Sequence, residues 1–138
     1  MRAFITVLLA AYATPGMSDP DEDSHYFYTT LPGRYALIGQ YPDRGAVYRG
    51  TAEIQLKDGR LYLEKKIEET VTLAKGAIER ADPGEAEVLR FRWPDHIETC
   101  LVRLDLDNYG RLTCNWVKAG TNARQPGLEA YFSTETWP

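Results

Sequence analysis

The chain is poor in the residues from which most catalytic and metal sites are built, with two cysteines and two histidines among 138 residues. His25 and His96 lie far apart in sequence with no evident partner, so each reads as a surface residue rather than a base or a ligand. There is no phosphate-cradling glycine loop, no Walker lysine and no G-x-S-x-G elbow. Asp105-x-Asp107-Asn108-x-Gly110 has the outline of a calcium loop. Its fifth position is Tyr109 and its twelfth Trp116, where oxygen ligands are needed, and an Asx-type hairpin turn accounts for it. No pair of carboxylates is assigned to a shared inward face. The sequence therefore offers no catalytic residue, no metal ligand set and no cofactor, and it reads as a non-enzyme.

Excess basic charge is missing too. Sixteen Lys and Arg against twenty Asp and Glu give a net charge of −4, and no basic stripe interrupts it, which excludes a nucleic-acid footprint. Long apolar runs are absent. Ala3–Ala11 is apolar throughout except for Thr6, and it is too short for the roughly 20 residues a membrane helix needs. Arg2 before this stretch and Ala11-Tyr12-Ala13 after it give the layout of an export signal. No cysteine follows to carry a lipid anchor. The sequence thus divides into a signal peptide at 1–13, an acidic linker or arm at 14–32 that is expected to be irregular, and one domain at 33–134. The mature product is expected in the periplasm or outside the cell, and in the cytoplasm if the signal is not cleaved.

A helical period is lacking between Gly33 and Phe132. Strict alternation stands in its place. Tyr48, Gly50, Ala52, Ile54 and Leu56 alternate with Arg49, Thr51, Glu53 and Gln55, as in a half-buried strand. Asp58-Gly59 is a two-residue hairpin signal that pairs Lys57 with Arg60, Leu56 with Leu61, Ile54 with Leu63 and Ala52 with Lys65. Further strands are read at 34–40, 60–68, 70–80, 88–93, 97–106, 111–118 and 128–134, with Asp82-Pro83-Gly84 as another turn. Eight strands on short connections predict an all-β fold, an antiparallel up-and-down barrel whose closure hides the strand edges. A β-sandwich is the rival, but it needs longer crossovers. Outward positions such as Arg49, Glu53, Glu64, Lys66, Arg90 and Arg92 are charged. Each Arg or Lys facing lipid would cost ~2–4 kcal/mol, so membrane insertion is not expected.

Three finer expectations follow. With Asn108-Tyr109-Gly110 as the loop, Leu104 faces Cys114, Cys100 faces Lys118 and Val102 faces Trp116. The two cysteines then stand ~13 Å apart, beyond disulfide reach, and read as small core residues; a slipped register reverses that conclusion. Lys65 falls on the inward face with Leu61, Leu63 and Ile67, where an ammonium needs a carboxylate, a set of carbonyls or an anionic ligand. The expectation is that it lies near a mouth, or on a bulge, and reaches water.

Gly33-x-Tyr35-x-Leu37-x-Gly39, Tyr48-x-Gly50-Thr51-Ala52-x-Ile54, Gly76-x-Ile78, Leu89-x-Phe91-x-Trp93 and the closing Gly127-Leu128-Glu129 resemble small exported bacterial proteins of unknown function. Their patterns are G-x-Y-x-x-x-G, Y-x-G-x-x-x-I and G-x-E. The resemblance spans roughly residues 33 to 134 and implies a compact calycin-like barrel, similar in plan to avidin and the lipocalins. Lys65 departs from a pattern that often has Trp in the third strand, so no ligand is carried over, and biotin binding is not assigned. Nine tyrosines and three tryptophans are available to fill a small barrel or line a cavity in it. The expected function is non-catalytic binding of a small apolar or amphipathic molecule, with Tyr35, Tyr48, Lys65, Trp93 and Trp116 as candidate lining. The alternative is a fully packed barrel that acts through its surface or its arm.

Overall fold

A computed structural model describes residues 21–81, 86–104 and 110–135. The export signal read at 1–13, the first part of the acidic arm, and the turns read at 82–84 and 108–109 lie outside the described residues. Eight antiparallel strands form one closed barrel in sequence order: β1 (Gly33–Gln40), β2 (Val47–Lys57), β3 (Arg60–Ile67), β4 (Thr70–Ala81), β5 (Ala86–Arg92), β6 (His96–Leu104), β7 (Gly110–Lys118) and β8 (Gly127–Ser133). The seam between β8 and β1 closes it, with Leu37 opposite Tyr131.

The Asp58-Gly59 hairpin has the register its sequence prescribes. Leu56 faces Leu61, Ile54 faces Leu63 and Ala52 faces Lys65. Both turn residues take positive φ, as a type I′ turn requires. Glycines set three further contacts between strands. A Cβ at Gly39 would overlap the Tyr48 ring, one at Gly76 the Phe91 ring, and one at Gly127 the Trp116 indole. Each of these glycines is the register partner of the aromatic residue that covers it.

Inward side chains fill the barrel. Ile54, Leu61, Leu63, Leu89, Phe91, Cys100, Leu112 and Tyr131 are all buried. The lower end is the one at which β1 begins and β8 ends. Within the arm expected to be irregular, Asp21–Thr30 forms a helix, α1. Pro32 disfavours helical backbone at Leu31, so the helix stops there. The Leu31 amide still donates to the Phe27 carbonyl. Phe27 and Tyr28 pack on the core and Leu31 is buried, so α1 covers the lower mouth.

The β6–β7 pairing overturns one expectation. Leu104 faces Gly110, Cys100 faces Cys114 and Glu98 faces Trp116. The connection falls between Leu104 and Gly110 rather than between Asp107 and Arg111, so the centre of the hairpin lies two residues earlier and each partner moves four positions along β7. Cys100 and Cys114 are not free core thiols. They form a disulfide with their Cα atoms 4.0 Å apart, directed into the interior. For the same reason Trp116 does not face Val102.

Candidate functional site

The upper half of the interior is polar. Lys65 does not reach water as expected; it is 5% exposed and its ammonium is held between two carboxylates. Nζ donates to Glu98 Oε2 at 2.9 Å and to Glu129 Oε2 at 2.6 Å. The Tyr131 hydroxyl lies within bonding distance of Glu98 and donates to Glu129 Oε2 at 2.7 Å. The Tyr48 hydroxyl donates to the other Glu129 oxygen at 2.5 Å. Five side chains on β2, β3, β6 and β8 are thus tied together across the barrel.

Alternation explains the placement. Glu98 has the parity of Cys100, and Glu129 that of Tyr131, so both carboxylates point inward with Lys65. These two glutamates were missed from the sequence. The signal for them was parity, combined with the need of an inward lysine for a counter-charge.

One ammonium between two carboxylates leaves a negative charge too many. Burial pushes the Glu98 carboxyl up to about 8; Lys65 opposes this and the neighbouring Glu129 adds to it. Burial also pushes Glu129 up, but its hydrogen bond with Glu98, the Lys65 ammonium and the Tyr48 hydroxyl together hold it below the ordinary value. Glu98 is thus driven toward its protonated form while Glu129 is held toward its carboxylate, as two adjacent carboxyl groups in one buried site require. Burial, and then the adjacent carboxylates, push the Tyr48 and Tyr131 hydroxyls up, so both stay protonated.

Aromatic rings lie above this cluster, at the upper mouth. The Lys65 ammonium sits 4.5 Å from the centre of the Trp93 ring. His96 is not a free surface residue. It stacks on Trp93 with ring centres 4.4 Å apart, lies 5.3 Å from Trp116, and places Nδ1 2.7 Å from Asp95 Oδ1. Tyr41 packs on Tyr48 at 4.6 Å and against Trp116 at 6.3 Å. The indole nitrogens of Trp93 and Trp116 are buried without a hydrogen-bond partner among the described residues.

Beside Trp116 an open cleft of about 510 Å³ is lined by Tyr41, Pro42, Asp43, Lys118, Thr121 and Asn122. Its loops are fastened together. Asp43 Oδ1 accepts the backbone amides of Arg124 and Gln125 at 2.7 and 2.8 Å. Asp43 and Arg44 both take left-handed backbone to make that contact.

Four of the five residues singled out from sequence meet here: Tyr48, Lys65, Trp93 and Trp116. Tyr35 does not. Its hydroxyl donates to the Leu31 carbonyl at 2.6 Å at the opposite end, and burial, then Glu135, push it up to about 12. No protein-family model matches the chain, and no curated protein matches it.

Proposed function

We propose that the upper mouth of the barrel binds a small amphipathic molecule and leaves it chemically unchanged. One observation carries this reading: a buried Lys65–Glu98–Glu129 cluster lies directly beneath aromatic rings at one mouth of an otherwise apolar barrel. Such a cluster is poor economy for stability alone, because well-packed apolar residues usually do as well or better than a buried ion pair. Buried groups with displaced protonation equilibria gather at functional sites. The adjoining cleft has the volume of a small-molecule site, with Tyr41 and Trp116 for an apolar body and Asp43, Lys118 and Asn122 for polar ends. Binding without catalysis is supported by the closed bonding of the cluster, whose carboxylates are engaged by Lys65 and two tyrosines.

The test is titration of the full chain with anilinonaphthalene sulfonate, an amphipathic fluorescent probe. One saturable site per chain is expected, weakened about tenfold in Trp116→Ala and unchanged in Tyr35→Phe. Absence of saturable binding, or equal binding by Trp116→Ala, would overturn the proposal. The second reading, a filled barrel that works through its surface, is favoured by the close packing of its lower half.

We infer further that the protein is exported and belongs with the small exported barrels it resembles. The Cys100–Cys114 disulfide supports this, because disulfides persist in oxidising compartments. Mass spectrometry of the mature chain is expected to find Thr14 at its start. A cytoplasmic protein retaining Met1 would contradict export.

A further inference from the structure

The cleft beside Trp116 has a second, smaller cleft at its edge. It holds about 370 Å³ and is lined by Asp43, Arg44, Arg124 and Gln125, so Asp43 borders both. These side chains stand on two loops, 41–46 between β1 and β2 and 119–126 between β7 and β8. Four hydrogen bonds lock the loops together. The Asp43 amide donates to the Gln125 carbonyl at 3.1 Å, the amides of Arg124 and Gln125 both donate to Asp43 Oδ1, and Arg44 Nε donates to Gln125 Oε1 at 3.2 Å. Asp43 and Arg44 hold φ at 58° and 56°, and residues other than glycine held in this region gather at ligand clamps and switches. The charge left over is positive. Asp95 is engaged by His96 and, at 3.7 Å, by Lys118. The Asp43 carboxylate is held by two backbone amides. Neither Arg44 nor Arg124 forms a salt bridge among the described residues.

We propose that Arg44 and Arg124 receive an anionic end of the ligand, an oxyanion such as a carboxylate or a sulfonate, while its apolar body lies on Tyr41 and Trp116. The proposal rests on the binding reading above and adds to it the sign of the ligand's charge. Gln125 takes Arg44 Nε, which leaves both terminal nitrogens of that guanidinium for a pair of parallel bonds to an oxyanion. Arg124 supplies a second cation at the same cleft. Two guanidiniums outnumber the one aspartate between them, whose Oδ1 is already occupied. The loops are fastened before any ligand arrives, so little freedom is lost from them on binding. A cationic end finds no such place, because Arg44, Lys118 and Arg124 would repel it and both aspartates of the rim are engaged within the chain.

Two fluorescent probes that share one ring system separate the charge from the cleft. Anilinonaphthalene sulfonate carries the anion, and N-phenyl-1-naphthylamine lacks it. The full chain is expected to bind the sulfonate at least tenfold more tightly than the neutral amine. Arg44→Gln with Arg124→Gln, both at exposed positions, is expected to weaken the sulfonate about tenfold and to leave the neutral probe unchanged. Lys57→Gln with Arg60→Gln removes the same charge from exposed positions at the opposite mouth, beyond the reach of a screened interaction, and is expected to change neither. Equal affinity for the two probes would overturn the anionic end while the binding reading stands. So would a sulfonate affinity that the Arg44 and Arg124 replacements leave unchanged, or that the Lys57 and Arg60 replacements lower equally. Absence of saturable binding of either probe would overturn both.

Discussion

Lys65 is the residue on which the interior turns. Removing one partner of a buried ion pair leaves the other without compensation, at a cost of about 3–5 kcal/mol. Lys65→Met is expected to lower stability by that amount in chemical denaturation. Joint replacement of Lys65, Glu98 and Glu129 by Met, Leu and Leu is expected to recover most of the loss. The proton on Glu98 has its own signature. The group titrates near 4.5 in an unfolded chain and at about 8 in the fold, so between those values the native state holds a proton that the unfolded state lacks. Stability therefore falls as pH rises through that window. Glu129 is held below its ordinary value, so its contribution has the opposite sense and is lost as pH falls through the lowered value. A decline in melting temperature from about pH 5 to about pH 9 is expected, and Glu98→Gln, which cannot ionise, should flatten it. An unchanged slope in that variant would assign the decline to other groups.

At the scale of strands, the β6–β7 hairpin carries the strongest single constraint. Its disulfide closes a separation of 14 residues, for which loss of the crosslink costs about 3 kcal/mol. Cys100→Ala with Cys114→Ala is expected to lower the denaturation midpoint accordingly, and the untreated folded protein should take up no thiol reagent. This hairpin also marks the limit of what could be read from sequence. The β2–β3 register was legible because Asp58-Gly59 admits one tight turn. The β6–β7 register was not, because the polar stretch from Asp105 to Gly110 offers several places for the turn. A slip by an even number of residues keeps every side chain on its face, so alternation alone cannot detect it. The fold was accordingly legible from alternation and turns, whereas the disulfide depended on where one turn falls. Part of the candidate site was legible in the same way. Parity places Tyr48, Lys65, Trp93 and Trp116 on the inward face, whereas Glu98 and Glu129 are legible only where an inward cation is taken to require an anion.

At the scale of the whole molecule, the two mouths have different roles. The lower one is covered by α1, whose Phe27 and Tyr28 rest on the core. The upper one has rings over a charged floor. A partly buried aromatic side chain contributes about 1–3 kcal/mol by the area it removes from water. Phe27→Ala is expected to lower stability within that range while leaving probe binding at the upper mouth unchanged. Loss of binding in this variant would mean that the two ends are coupled through the core.

The seam between β1 and β8 gives the barrel a direction in time. Tyr35 pairs with Ser133 and Gly39 with Glu129, so these contacts join residues about as far apart in the barrel sequence as any can be. Loop closure over such a distance is entropically costly, and chains rich in distant pairings fold slowly. The hairpin at Asp58-Gly59 can form early, whereas the seam must wait for every intervening strand. Glu129 sits on that seam and also grips Lys65 and Tyr48, so the charged cluster is complete only when the last strand arrives. The desolvation of the Lys65 ammonium is therefore expected in the barrel-closing step rather than in the initial collapse.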